Sequence, residues 1–259
     1  MTTSEVVTRH GQMRVVNEDI WVSRALRELG EYSESELQMM KMVLGLMSHG
    51  WYDSVVVEAG AYIGDLTVPL SRYCKRLYAF EPQEEIREIL IHNLRINDCR
   101  NVEVLPYALG DSAGDITYKS PDQKWEEDHD SPGSIQMGDA GGRCTAPMVT
   151  LDSLDLDVDF LKADVEGMEI PLLAGAMNTM ERLRTTLFLE RDTVIYKDSV
   201  SLGAVVEMLG YDYYPMSFPI YGVDNIHKAP NTFGTTVSHM ALCIPRLQTQ
   251  APMVTGVSL

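Results

Sequence analysis

The chain has 259 residues, 45% of them hydrophobic and 23% charged, a composition that supports a sizeable buried core and excludes general disorder. Its 38 acidic against 21 basic residues give a formal net charge of −17, which speaks against docking on nucleic acid or an anionic membrane, since both reward clustered Lys and Arg. Cys74, Cys99, Cys144 and Cys243 stand far apart with no C-x-x-C pair, so neither a zinc knuckle nor a disulfide framework is expected, and a reducing cytoplasm is the expected location.

The opening segment, MTTSEVVTRHGQMRVVNED, lacks the apolar centre of a signal peptide. No run of about 18 apolar residues occurs, so membrane spanning is not expected either. Residues 1–32 read as an N-terminal appendage with a short amphipathic helix around Ile20 to Leu29. From Ser33 the pattern sharpens. Ser33 and Glu36 have the spacing of a capping box, Leu37, Met40, Val43, Leu44 and Met47 follow at helical intervals, and Gly50 is the expected stop. The methionines here, Met39, Met40, Met42 and Met47, are read as core.

Short apolar runs then alternate with amphipathic segments. Strands are expected at Ser54–Val57, Leu77–Phe80, Val102–Leu105, Phe160–Ala163 and Leu187–Leu189, and crossover helices at Leu66–Tyr73, Glu84–Ile96, Met168–Met180 and Leu202–Leu209. Tyr211–Tyr214 and His239–Ile244 read as two more strands, an antiparallel pair. The implied fold class is α/β: a doubly wound, Rossmann-like seven-stranded sheet, mostly parallel with an antiparallel C-terminal edge strand. One domain over residues 33–245 is expected. Residues 119–147, rich in Gly, Pro and charge, are too long for an idle connection and read as a loop insertion acting as a lid or substrate loop. Residues 246–259 read as a flexible tail.

The first of these strands runs into Glu58-Ala59-Gly60-Ala61-Tyr62-Ile63-Gly64. Gly60 can take a backbone conformation closed to other residues and, lacking a Cβ, lets a ligand approach the main chain, while Gly64 allows close packing where a helix begins. Exposed N–H groups in such a turn suit a carboxylate. The spacing E-x-G-x-x-x-G lacks one glycine of G-x-G-x-x-G, the loop that cradles a pyrophosphate. A nicotinamide dinucleotide is therefore disfavoured, and S-adenosylmethionine, which has no pyrophosphate, fits. The second strand ends in Glu81, where a carboxylate can accept hydrogen bonds from ribose hydroxyls, and Pro82 is placed to begin the next helix without needing an N–H.

Four blocks in this order, EAGAYIGDLT, AFEPQEEIREILIHNLRIN, NVEVLPYALGD and VTLDSLDLDVDFLKADVEGMEIPLLAGA, resemble the FkbM-type family of S-adenosylmethionine-dependent methyltransferases. The resemblance implies that Glu58, Gly60 and Gly64 surround the methionine part of the cofactor, that Glu81 holds the ribose, and that Ala108 and Leu109 border the adenine. Ala61, Tyr62, Thr67 and Pro82 are the further expected cofactor contacts. The chain departs from the family in having Glu58 where Asp is usual and Tyr62 where a small polar residue, commonly Asn, is usual.

Lys162, Asp164 and Glu166 stand at the end of the fourth strand, on the edge where open α/β sheets hold ligands, and in an extended run they share one side. Gly167 permits the turn into the next helix, which either carboxylate could instead serve to cap. Methyl transfer from a sulfonium is an in-line displacement, so positioning carries much of the catalysis, but a hydroxyl acceptor must still lose its proton. Asp164 is the first choice of base and Glu166 the second, with Lys162 steadying a developing alkoxide. His239 is a further catalytic candidate and His227 a weaker one. Leu189-Glu190-Arg191-Asp192 would put more carboxylates beside Asp164, where magnesium could acidify a hydroxyl. These charges are read instead as surface or substrate-facing, and no metal is assigned.

The expected activity is O-methylation of a small or secondary metabolite of sugar or polyketide type, the acceptor class the resemblance implies. The alternatives are N-methylation or peptide and protein methylation on the same fold, and a non-catalytic adenosylmethionine-binding or partner-binding protein. Intact Lys162, Asp164 and Glu166 speak against the last of these. Neither nucleic acid nor membrane is expected as a partner.

Overall fold

The computed structural model of the chain describes residues 1–47, 52–119, 142–191 and 201–246. It opens with an antiparallel hairpin of β1 (Thr3–Thr8) and β2 (Gly11–Val16), followed by α1 (Val22–Glu28) and α2 (Glu34–Leu46). Next come β3 (Val55–Ala59), the short helix α3 (Thr67–Leu70), β4 (Arg76–Phe80), α4 (Glu84–Ile96) and β5 (Val102–Leu105). A small three-stranded sheet is built from β6 (Ala108–Leu109), β7 (Gly114–Tyr118) and β8 (Cys144–Val149). The chain continues through β9 (Phe160–Ala163), α5 (Glu169–Ala174), α6 (Met177–Leu183), β10 (Thr186–Glu190), α7 (Leu202–Met208), β11 (Tyr211–Pro219) and β12 (Val237–Pro245).

The main sheet has the order β11-β12-β10-β9-β3-β4-β5. From β10 to β5 all neighbours are parallel, whereas β12 runs antiparallel to both β10 and β11. The C-terminal strand thus enters one place in from the edge, and β11 takes the edge itself. The central strands are largely apolar because both faces are covered, with Glu58 in β3 and Lys162 in β9 among the charged exceptions. Val56 faces a core with Leu37, Met40 and Leu44 of α2 and Leu90 of α4, and its neighbour Val57 faces one with Leu172 and Leu173 of α5 and Val206 of α7.

Residues 1–32 pack on the body: Met13, Val15, Val16 and Leu26 join the core with α2 and α4, and the Asn93 amide brackets Arg14, accepting its N–H at 2.7 Å and donating to its carbonyl at 2.9 Å. Several local expectations are corrected. Ser33 forms no capping box. Its backbone is left-handed (φ 42°), and its hydroxyl donates to the Glu36 carboxylate at 3.1 Å. Of the α2 methionines, Met40 is core, Met39 and Met47 pack at its margin, and Met42 is exposed. Pro82 precedes the N-cap Gln83 and does not open α4. The helix expected over Leu66–Tyr73 divides into α3 and a 3-10 turn. That expected over Met168–Met180 breaks because the Asp152 carboxylate accepts the N–H groups of Asn178 (3.0 Å) and Thr179 (2.7 Å), starting α6 afresh.

The end of the expected insertion, from Cys144, is strand β8. Gly50, residues 120–141, Asp192 and the tail from 247 lie outside the described residues. No helix among the described residues is long and apolar enough to cross a membrane.

Phe188 of β10 is fully buried, with its ring centroid 6.3 Å from that of Phe160 and 6.0 Å from that of Phe218. Phe188→Ala is expected to lower the unfolding free energy by about 3–5 kcal/mol, measured from urea denaturation curves.

Candidate active site

The site is set by main-chain register. Ala59 of β3 pairs with Phe80 of β4 and with Ala163 of β9, and Ala163 pairs with Leu189 of β10. The next residue on each strand, Glu81, Gly60, Asp164 and Glu190, therefore falls in one row along the carboxyl edge of the sheet. All four line a single cavity of about 720 Å³.

Glycine is demanded at Gly60, where φ is 76° and a Cβ would stand 1.9 Å from the carbonyl oxygen of Asp164. The N–H groups of this loop are engaged within the fold. Gly60 and Ala61 donate to the Phe80 carbonyl at 3.1 and 3.0 Å, and Tyr62 donates to Oε2 of Glu81 at 2.9 Å. The tip of β4 has taken the donors that were expected to hold a ligand carboxylate. Glu81 also accepts the Gln83 N–H at 2.9 Å, and burial lifts its carboxyl to about 7 against the pull of these two donors.

Tyr62 stands in the left-handed region (φ 48°), and its hydroxyl donates to Oδ2 of Asp19 at 3.0 Å. Asp19 is fully buried and also accepts the N–H groups of Trp21 (2.9 Å) and Ser23 (2.6 Å) at the start of α1. The Tyr62 side chain thus joins the glycine loop to the N-terminal segment, whose Trp21, Val22 and Tyr32 line the cavity.

The centre of the cavity is a buried ammonium among carboxylates. Lys162 is 3% exposed and pairs with Asp164 at 3.4 Å. Burial pulls its pKa down, but Asp164, Glu58, Glu36 and Asp65 more than offset this and hold it charged. Burial raises Glu36 and Asp65 to about 7, with Lys162 opposing, and it raises Glu58 as well. Glu190 lies well above the usual carboxylate range, through burial and then through Asp164 and Glu166. Oε2 of Glu58 is sealed from solvent with no hydrogen-bond partner among the described residues.

Lys162, Asp164 and Glu166 do meet in the cavity, though not by extended alternation. β9 stops at Ala163, and Glu166 (φ 50°) and Gly167 (φ 94°) turn in left-handed conformations. Neither carboxylate caps α5, whose N-cap is Met168; Glu169 instead accepts the Val165 N–H at 3.0 Å. Of the expected cofactor contacts, Glu58, Gly60, Tyr62, Glu81, Pro82, Ala108 and Leu109 line the cavity, whereas Ala61, Gly64 and Thr67 are buried without lining it. His239 lines the cavity but is exposed, with Nδ1 2.9 Å from the Ser217 hydroxyl. His227 does not line it; its ring nitrogens lie 3.2 Å from the carbonyl oxygens of Glu28 and Val7. Sequence reasoning misses Trp21, Tyr32, Glu36 and Asp65. Asp65, directly after Gly64, was within reach of motif reading; the others arrive by tertiary packing.

A doubly wound sheet with a cavity across its carboxyl edge defines a Rossmann-like ligand-binding domain. The Methyltransferase FkbM domain matches residues 58–214, more than half of the chain, and the chain belongs to the FkbM methyltransferase family. No curated protein matches it in sequence. Similar solved structures include the methyltransferase FkbM from Methylobacillus flagellatus KT, with 16% identity and a TM-score of 0.46, covering 76% of this chain and 45% of that one. The chain therefore spans less than half the length of that structure. An rRNA methylase from Streptococcus thermophilus shows 16% identity and a TM-score of 0.45, covering 82% of this chain and 95% of that one. The M. jannaschii TYW2 structure in complex with AdoMet shows 16% identity and a TM-score of 0.46, covering 94% and 85%.

A carboxyl that titrates at about 7 when folded and near 4.5 when unfolded binds more protons in the native state between those values. Its stabilising contribution is complete below the unfolded value and is lost as pH rises through the folded one. Glu36→Gln should therefore flatten the decline in melting temperature between about pH 5 and about pH 8 and raise stability at the upper end by on the order of 1–3 kcal/mol, read by thermal unfolding. Tyr62→Phe, which deletes only the hydroxyl reaching Asp19, is expected to cost about 1.5–3 kcal/mol in the same melts.

Proposed function

We propose that the chain is an S-adenosylmethionine-dependent methyltransferase acting on a hydroxyl of a small, hydroxylated acceptor of sugar or polyketide type. The observation that carries this reading is the row of Glu81, Gly60, Asp164 and Glu190 opening into one cavity. The residues suit the cofactor. Glu81 offers a carboxylate to the ribose, the bare main chain of Gly60 allows close approach, and the unpartnered Oε2 of Glu58 is an acceptor for the positively charged methionine end. Ala108 and Leu109, both buried, supply apolar surface for the adenine.

The cofactor, when bound, supplies an electrophilic methyl on a positively charged sulfur. Asp164 takes the acceptor's hydroxyl proton, and Lys162, fixed beside it and kept charged, steadies the oxygen as negative charge develops. Glu166 faces the same space as a second carboxylate. The cavity is lined by seven carboxylates against Lys162 and Arg191, a balance that favours a sulfonium and a neutral polyol and disfavours phosphorylated acceptors, nucleic acid included. Trp21, Tyr32 and Tyr107 provide aromatic surface for the acceptor's apolar face. The cysteines among the described residues are free, which suits the cytoplasm.

Glu81→Ala is expected to weaken S-adenosylmethionine binding by about tenfold or more in titration calorimetry. Asp164→Asn should keep that affinity while losing turnover by on the order of 100- to 10,000-fold, followed by mass shift across a panel of hydroxylated metabolites. Unchanged affinity in the first variant removes the ribose assignment, and full activity in the second removes Asp164 as base.

A further inference from the structure

Glu190 is the member of the row that methyl transfer leaves without a task. Its strand tip stands beside Asp164 in main-chain register, and Glu166 is turned back by its left-handed backbone. One carboxylate oxygen from each of Asp164, Glu166 and Glu190 lies within 4.8 Å of the other two. Oxygens held at about 2.4 Å around a single ion span no more than about that distance. A second observation does not depend on the spacing: although the Glu190 carboxyl hydrogen-bonds Asp164, its Oε2 is sealed from solvent and has no hydrogen-bond partner among the described residues. A carboxylate oxygen in that state is costly unless a proton or a cation meets it. The neighbouring ammonium of Lys162 is already shared among Asp164, Glu58, Glu36 and Asp65.

We propose that Asp164, Glu166 and Glu190 bind one divalent cation of the oxygen-preferring class, magnesium, manganese or calcium. Three carboxylates with no thiol or imidazole set that class. The proposal departs from the reading of Glu190 as a surface charge, because β10 brings Glu190 beside Asp164 through sheet pairing and not through a surface loop. Since the cluster lines the same cavity, the ion's remaining positions are open to water and to an acceptor oxygen. In the proposed methylation the ion orients the acceptor hydroxyl and eases loss of its proton. That role rests on the proposed function; the binding site does not.

The test is manganese binding to the full chain after treatment with chelator, followed by electron paramagnetic resonance and by calorimetry. One Mn²⁺ per chain is expected, displaced by excess Mg²⁺, with Glu190→Gln and Glu166→Gln each weakening binding by about tenfold or more. Circular dichroism checks that each variant is folded; if Glu190→Gln is not, Glu166→Gln, which changes a turn residue, decides the matter. S-adenosylmethionine binding is measured on the same samples. A chain that takes up Mn²⁺ but no S-adenosylmethionine sinks the methyltransferase reading and leaves the metal site standing. Absence of Mn²⁺ binding at about millimolar concentration overturns the site, in favour of a proton shared by Asp164 and Glu190. Wild-type affinity in the folded variants overturns it equally.

Discussion

A single buried ammonium makes this site tenable. Lys162 sits near the end of β9 with almost no exposure, and Asp164, Glu58, Glu36 and Asp65 crowd around it. Each of those carboxylates would be expensive to bury alone, and the lysine would be expensive to bury without them. Together they form a unit in which the carboxylates hold the lysine charged, and the lysine in turn opposes the burial that raises Glu36, Asp65 and Glu58. Its position follows from topology: β9 lies between β3 and β10, so the turn after it is the place from which one chain segment reaches both the glycine loop and the tip of β10.

The strand tips give this unit its precision. Parallel pairing fixes Glu81, Gly60, Asp164 and Glu190 in sequence along the edge, and the close pass of Gly60 over the Asp164 carbonyl locks two of those tips together. Side chains held by a sheet keep their geometry better than side chains carried by loops, which suits a reaction that depends on alignment.

Much of this was legible because parallel strands write themselves as continuous apolar runs. Val102–Leu105, Phe160–Ala163 and Glu84–Ile96 coincide with β5, β9 and α4 residue for residue. The tip residues followed, since a carboxylate or glycine just after such a run stands out. What stayed hidden depends on contacts distant in the chain. The hairpin of β1 and β2 is polar on one side and is placed by the core packing of Met13, Val15 and Val16 together with Asn93 of α4, and Trp21 and Tyr32 reach the cavity on that scaffold. Asp152 breaks a helical pattern from more than twenty residues upstream. The glycine-loop donors looked free because nothing in the loop announces that the Phe80 carbonyl will claim two of them.

The phenol of Tyr62 has one more implication. It spans from Asp19, which starts the helix behind Trp21, to a residue whose own amide rests on Glu81. One side chain therefore ties the glycine loop to the segment that carries Trp21, and both line the same cavity. Where molecules bind on both sides of that tie, any coupling it carries is reciprocal: each changes the affinity of the other by the same factor, whichever arrives first.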